Sequence, residues 1–200
     1  MKLLLHPLPV RIFHWVMFAA VMTLLATGLY MHEPPAWLRL PMSMMREFHG
    51  VAAAALVVNL ILHIYYYVRT GKYTEVLLLP GDWANVRSFL RYYLFVTANH
   101  PNFGRYNPGQ KALFTAWGLV VIVAAVTGAA LLFPDDSTRL QRLLGGLNAI
   151  RSAHFFVAAF FAASVPFHLY LVFTESPAKL QSIFTGYVRK EPKPPPPKAP

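Results

Sequence analysis

Cysteine is absent from all 200 residues. That excludes disulfides, thiolate metal sites, iron–sulfur clusters and covalently attached c-type haem, and it says nothing about compartment. Acidic residues are scarce: 8 Asp and Glu stand against 18 Lys and Arg. Four long apolar runs contain no charged residue at all: Ile12–Met31, Phe48–Val68, Ala112–Phe133 and Ala153–Phe173. Cation transport and proton pumping usually place carboxylates inside such runs, so both are disfavoured.

What is present is apolar residue in quantity, 56% of the chain, gathered into those four runs. Each holds about 20 residues, the length a helix needs to cross a bilayer core at about 1.5 Å per residue. The expected fold is all-α: one integral membrane four-helix bundle over residues 1–188. The first run is too long for the apolar segment of a signal peptide, and no small-x-small cleavage pattern follows it, so it is expected to stay as a span.

The net charge of +10 could point to nucleic acid, but its distribution argues for a membrane. An even number of spans puts both termini on one side. The N-terminus, the loop Arg69–Lys111 and the tail together hold 13 Lys and Arg and 4 Asp and Glu. The two remaining loops hold 5 Lys and Arg and 4 Asp and Glu. The positive-inside rule makes the richer face cytoplasmic. Topology and anionic lipid account for the basic balance without nucleic acid.

Within the long loop, "GDWANVRSFLRYYLFVTAN" alternates as an amphipathic helix with Asp82 at its N-cap. Trp83, Val86, Phe89, Leu90, Tyr93 and Leu94 share one face, and Arg87 and Arg91 the other. Such a helix lies in the membrane interface or packs on a partner subunit. The tail 189–200, rich in Pro and Lys, is expected to be disordered.

Eight histidines complete the inventory. His6, His32 and His100 fall outside the runs and read as solvated or interfacial side chains. The other five fall within or at the ends of runs, where ionisable groups are costly and usually functional. His49 and His63 stand fourteen residues apart on the second run, and His154 and His168 repeat that spacing on the fourth. Fourteen residues is close to four whole turns, about 21 Å, so each pair shares a helix face with one member near each membrane surface. Runs two and four point the same way, so the levels match. Two bis-histidine haems stacked across the bilayer need this arrangement, and with both axial positions filled they favour electron transfer over substrate chemistry. Span geometry pairs His49 with His154. At the cytoplasmic level His14, His63 and His168 are all candidates, and only two can ligate one iron. Arg11, Arg46 and Arg151 flank the two levels, as propionate partners or as ordinary interfacial arginines.

The stretches "VRIFHW" (Val10–Trp15), "FHG" (Phe48–Gly50), "RYNPGQK" (Arg105–Lys111) and "RSAHFF…FHLYLVF" together resemble the four-helix cytochrome b subunits of membrane formate dehydrogenases. These group with nickel–iron hydrogenase cytochromes b and bacterial cytochromes b561. The resemblance covers about residues 5–190. It implies two haem b groups, one held by His49 and His154 and one by His14 and His168. It leaves His63 as an alternative ligand, the one that respiratory cytochrome b of the bc type would use. It also implies that Asn107, Gly109 and Gln110 line a pocket for menaquinone or ubiquinone, although "NPG" alone reads as a turn.

The expected function is a di-haem b subunit in a bacterial cytoplasmic (inner) membrane. It would pass electrons between periplasmic iron–sulfur and catalytic subunits, as in formate dehydrogenase, and the quinone pool. The chain shows no site for a primary substrate of its own. Alternatives are a stand-alone cytochrome b561-type quinol oxidoreductase, a quinol-oxidising subunit of a periplasmic reductase, and a haem-free anchor or transporter.

Overall fold

The computed structural model describes residues 2–98, 101, 103–175 and 177–189. Strand β1 (Lys2–Leu4) leads into helix α1 (Leu8–His32), and α2 (Met42–Thr70) returns. Short α3 (Tyr73–Val76) and a 3-10 turn at Pro80–Asp82 precede α4 (Trp83–Tyr93). Helix α5 (Pro108–Leu132), short α6 (Thr138–Leu144) and α7 (Leu147–Glu175) follow, and α8 (Pro177–Thr185) ends in strand β2 (Tyr187–Arg189). The all-α four-helix expectation holds, with two three-residue strands added.

Each long helix extends its apolar run at one end or both. Prolines within the first two positions open α1 and α5, where a missing N–H costs nothing. Helix α2 closes on Gly71, whose φ of 67° suits a residue without Cβ. Helix α7 continues through Pro166. Among the described residues, four helices are long and apolar enough to cross a membrane.

Helix α1 packs chiefly on α2, and α5 on α7; lesser contacts of α1 with α7 and of α2 with α5 close the bundle. At mid-height the core is Ala20, Val21, Leu56, Val121 and Phe161. Large apolar side chains such as Val51, Ile61 and Phe156 face outward, 60% or more exposed, which suits lipid and not water. Strands β1 and β2 pair antiparallel, Lys2 opposite Arg189, so both ends of the described chain meet at one end of the bundle. That terminal end also carries α3, α4 and α8. The hairpin end carries the loops after α1 and α5. Residues 190–200, most of the predicted tail, lie outside the described residues, as does His100.

Two expectations change. Asp82 precedes α4 as predicted, but its side chain makes no cap bond to that helix. Its carboxylate accepts instead from Leu79 N at 2.9 Å and from Lys111 Nζ at 2.8 Å, which pins the loop to the start of α5. The ion pair and the backbone bond hold its pKa below the usual carboxylate value, the Lys111 bond contributing most. His6 is not solvated: it is 5% exposed, bonded through Nδ1 to Ser182 Oγ at 2.7 Å and through Nε2 to Tyr106 Oη at 3.0 Å. Its place outside the apolar runs concealed this, because α8 covers it from 176 positions away.

Candidate functional site

At the hairpin end, His49 near the start of α2 and His154 near the start of α7 face each other. Their ring centroids are 6.2 Å apart, with planes at 59°. Each ring is held by the neighbouring helix in the same way. Thr27 Oγ1 of α1 lies 2.9 Å from His49 Nδ1, and Thr127 Oγ1 of α5 lies 2.9 Å from His154 Nδ1. Both hydroxyls also sit 2.7 Å from the carbonyl four residues back, Thr23 O and Val123 O. A threonine hydroxyl has one hydrogen, and a carbonyl can only accept. Each hydroxyl therefore donates to its carbonyl and accepts from the imidazole. So both imidazoles carry their proton on Nδ1 and keep the Nε2 lone pair, the nitrogen a metal would take.

The next residue on each helix is glycine. A Cβ at Gly28 would lie 3.3 Å from His49 Cε1, and one at Gly128 would lie 3.3 Å from His154 Cε1. Both rings are thus seated against helix backbone.

These residues fit a haem iron. A metal–imidazole bond is about 2.0 Å, and the distance from ring nitrogen to ring centre adds about 1.1 Å, so two imidazoles on opposite sides of one metal stand about 6.2 Å apart, centre to centre. The observed separation agrees. Thr27, Gly28 and Thr127 escaped the sequence reading. The available signal was the dipeptide Thr-Gly inside an apolar run, at 27–28 and again at 127–128; the other two, at 70–71 and 185–186, lie outside the runs.

Toward the terminal end, three histidines converge. His14 of α1 lies within electrostatic reach of both His63 of α2 and His168 of α7. The His63 ring stacks on Phe13 at 5.1 Å and tilts against Tyr67 at 4.9 Å. The His168 ring meets Trp117 edge-on at 5.1 Å, and Trp117 is itself fixed by a 2.9 Å bond from Nε1 to Ser164 Oγ. His14 Nδ1 is buried with no hydrogen-bond partner among the described residues. Buried Asn59 donates from Nδ2 to Phe13 O at 3.1 Å, tying α2 to α1 beside His14. Arg11 donates to the Ile183 and Phe184 carbonyls at the end of α8, so its guanidinium holds the fold there. Arg46 and Arg151 are exposed.

Asn107 and Gln110 form a capping box rather than an isolated turn. Asn107 Oδ1 accepts from Gln110 N at 2.8 Å, and Gln110 Oε1 accepts from Asn107 N at 3.2 Å. Beside them lie Tyr106, whose pKa is raised by burial, and Lys179, whose pKa is lowered by burial and then by Arg105. Lys179 Nζ stands 5.2 Å from the Tyr106 ring centre and 3.4 Å from Gln110 Oε1. Gly109 faces α4: a Cβ there would lie 2.5 Å from Phe89 Cζ.

The family model for prokaryotic cytochrome b561 matches residues 5–186. The chain belongs to that family. Membership implies b-type haem and a multi-pass membrane protein. Among relatives of this cytochrome b561 is a probable Ni/Fe-hydrogenase B-type cytochrome subunit of Cupriavidus necator, 29% identical over 62% of this chain and 55% of that one. Another protein so named, from Azotobacter vinelandii, is 24% identical over 90% of this chain and 84% of its own. A protein named as a protein-methionine-sulfoxide reductase subunit, from Azospira oryzae, is 23% identical over 84% and 89%. The chain spans little more than half the length of the Cupriavidus necator relative.

Proposed function

We propose that this cytochrome b561 is a di-haem b subunit of an oxidoreductase complex in a bacterial inner membrane, moving electrons between a periplasmic iron–sulfur and catalytic partner and the quinone pool. The observation that carries this reading is the His49–His154 pair, both in the Nδ1–H tautomer and spaced for one metal between them. Bound there, a b-type haem supplies reversible one-electron transfer at iron. His49 and His154 hold one such group at the hairpin end. His14 and His168 hold the second at the terminal end. His14 is preferred to His63 on the resemblance of "VRIFHW" (Val10–Trp15) to the family pattern, and His63, stacked on Phe13, is the alternative ligand.

The terminal end is the cytoplasmic face, on the distribution of Lys and Arg. Quinone binds at this edge. The capping box of Asn107 and Gln110 fixes the start of α5, Gly109 admits α4, and Lys179, 3.4 Å from Gln110 Oε1, supplies polar hydrogens near the head group. The catalytic partner is read from the relatives: their names support a hydrogenase, while the sequence motifs also fit a formate dehydrogenase. The name of the Azospira oryzae relative supports the reverse direction, quinol oxidation feeding a periplasmic reductase. Paired tautomers at matched depth argue against a haem-free anchor or transporter.

The test is a dithionite-reduced minus oxidised spectrum of purified protein, with haem counted per chain by pyridine haemochrome. Two b haems are expected. His49→Ala and His154→Ala each lose the same one, His14→Ala and His168→Ala lose the other, and His63→Ala keeps both. A colourless, folded wild type prepared with ample haem would reject the reading.

A further inference from the structure

Threonines 23, 70 and 174 lie on the surfaces of the long helices, and each donates its hydroxyl hydrogen to the carbonyl four residues back, at 2.8–2.9 Å. This is ordinary behaviour for a helical threonine. Thr27 and Thr127 do the same but are buried, 6% and 3% exposed, and each has a histidine on its remaining lone-pair side. The bundle buries few polar side chains among the described residues: His6, Thr27, Asn59, Thr127 and Ser182. Two of those five are therefore committed to one histidine pair.

The two halves build the same device. Thr-Gly at 27–28 of α1 meets His49 of α2, and Thr-Gly at 127–128 of α5 meets His154 of α7. In each half the hydroxyl takes Nδ1–H while the adjacent glycine leaves room for Cε1 at 3.3 Å from where a Cβ would stand. Each ring is therefore fixed both in its tautomer and in its seating against the helix. The chain Nδ1–H···Oγ–H···O=C also runs in one direction. Each donor along it polarises the next, which increases electron density on the imidazole.

We propose that Thr27 and Thr127 are positioning residues that set the redox potential of the hairpin-end haem. This rests on the reading that His49 and His154 ligate that haem. A more basic imidazole stabilises ferric over ferrous iron, so the two hydroxyls hold the potential low. Removing either hydroxyl leaves an Nδ1–H without its acceptor and a ligand of lower basicity. The potential then moves positive, and it moves further when both hydroxyls are gone. The terminal-end haem, held by other residues, is unaffected. Electron transfer between the two levels would change its driving force accordingly.

The experiment is a potentiometric titration of the purified protein, following both haems, with low-temperature electron paramagnetic resonance on the oxidised form. The variants are Thr27→Val, Thr127→Val, the double variant, and Thr→Ser at each site. Valine keeps the shape and loses the hydroxyl; serine keeps the hydroxyl. Two haems per chain are expected throughout, with one midpoint shifted positive in each Val variant and more so in the double. The low-field resonance of that haem shifts with it, and the Ser variants titrate as wild type. A double Val variant whose two midpoints match wild type overturns the proposal. If Val variants lose a haem, the Ser variants decide: retention supports the hydroxyl's role, and loss in both overturns it. Failure of the ligand reading looks different, since haem content and spectra would then survive His49→Ala and His154→Ala.

Discussion

Ser182 donates its hydroxyl hydrogen to the Lys179 carbonyl at 2.7 Å, so it accepts from His6 Nδ1, and His6 Nε2 in turn accepts from the Tyr106 hydroxyl. The imidazole is thereby fixed as neutral. Burial, followed by Arg105, His14, Lys179 and Arg11, brings its pKa from 6.5 down to about 4. The sign of the pH effect follows. Between pH 6.5 and 4 the unfolded chain binds a proton that the folded chain refuses, so stability is full above 6.5 and declines as pH falls toward 4. His6→Gln can keep both hydrogen bonds and cannot titrate. Melting temperatures in detergent at pH 7.5 and 5 should differ less for His6→Gln than for wild type; an equal drop in both would show that His6 does not carry this term. His6→Phe leaves Ser182 and Tyr106 without their shared partner, which costs about 1–3 kcal/mol at any pH.

At the level of elements, α4 depends on the first turn of α5. Phe89 packs over Gly109, and its ring also meets Tyr93 at 4.6 Å and Phe103 at 6.1 Å. Gly109→Ala would put a methyl 2.5 Å from Phe89 Cζ and push the ring out. Hydrogen exchange should then rise across Trp83–Tyr93, while Gly118→Ala, with nothing within 4 Å of its Cβ, leaves it unchanged. Equal protection of α4 in the two variants would show that this contact does not hold it. The element pattern explains what the sequence could reveal. Four uncharged runs located four helices because lipid-facing and core-facing positions are both apolar. The amphipathic face of α4 was visible for the opposite reason, the separation of Arg87 and Arg91 from Trp83, Phe89 and Leu90. Helices α6 and α8 and the strands were too short to leave a period. Asn107–Gln110 looked like a turn because Pro-Gly dominated the reading, although Asn followed three residues later by Gln is also a helix-start signature. At the site, histidine spacing gave the two levels. The threonine bonds could not be foreseen, because they depend on which helix stands beside which.

The whole molecule has a direction that its helices alone do not fix. Both described termini meet through β1 and β2, and α3, α4 and α8 gather at the same end, where most of the Lys and Arg also lie. If that end is cytoplasmic, His49 and His154 are at the periplasmic surface, beside an external electron partner, and the capping box at Asn107 opens toward cytoplasmic protons. Electrons passing between the levels then move charge through the membrane field, worth about 2.3 kcal/mol per charge per 100 mV. Because the chain has no native cysteine, one introduced thiol reports without background. Ala36 in the α1–α2 loop and Ala84 in α4 are both exposed, and replacing either by cysteine leaves the charge pattern untouched. A membrane-impermeant maleimide applied to intact spheroplasts should label Ala36→Cys and spare Ala84→Cys, with both labelled after permeabilisation. The opposite pattern would place the His49–His154 pair on the cytoplasmic side. The quinone edge would then draw protons from the periplasm, and reduction by an external donor would no longer carry charge across the membrane.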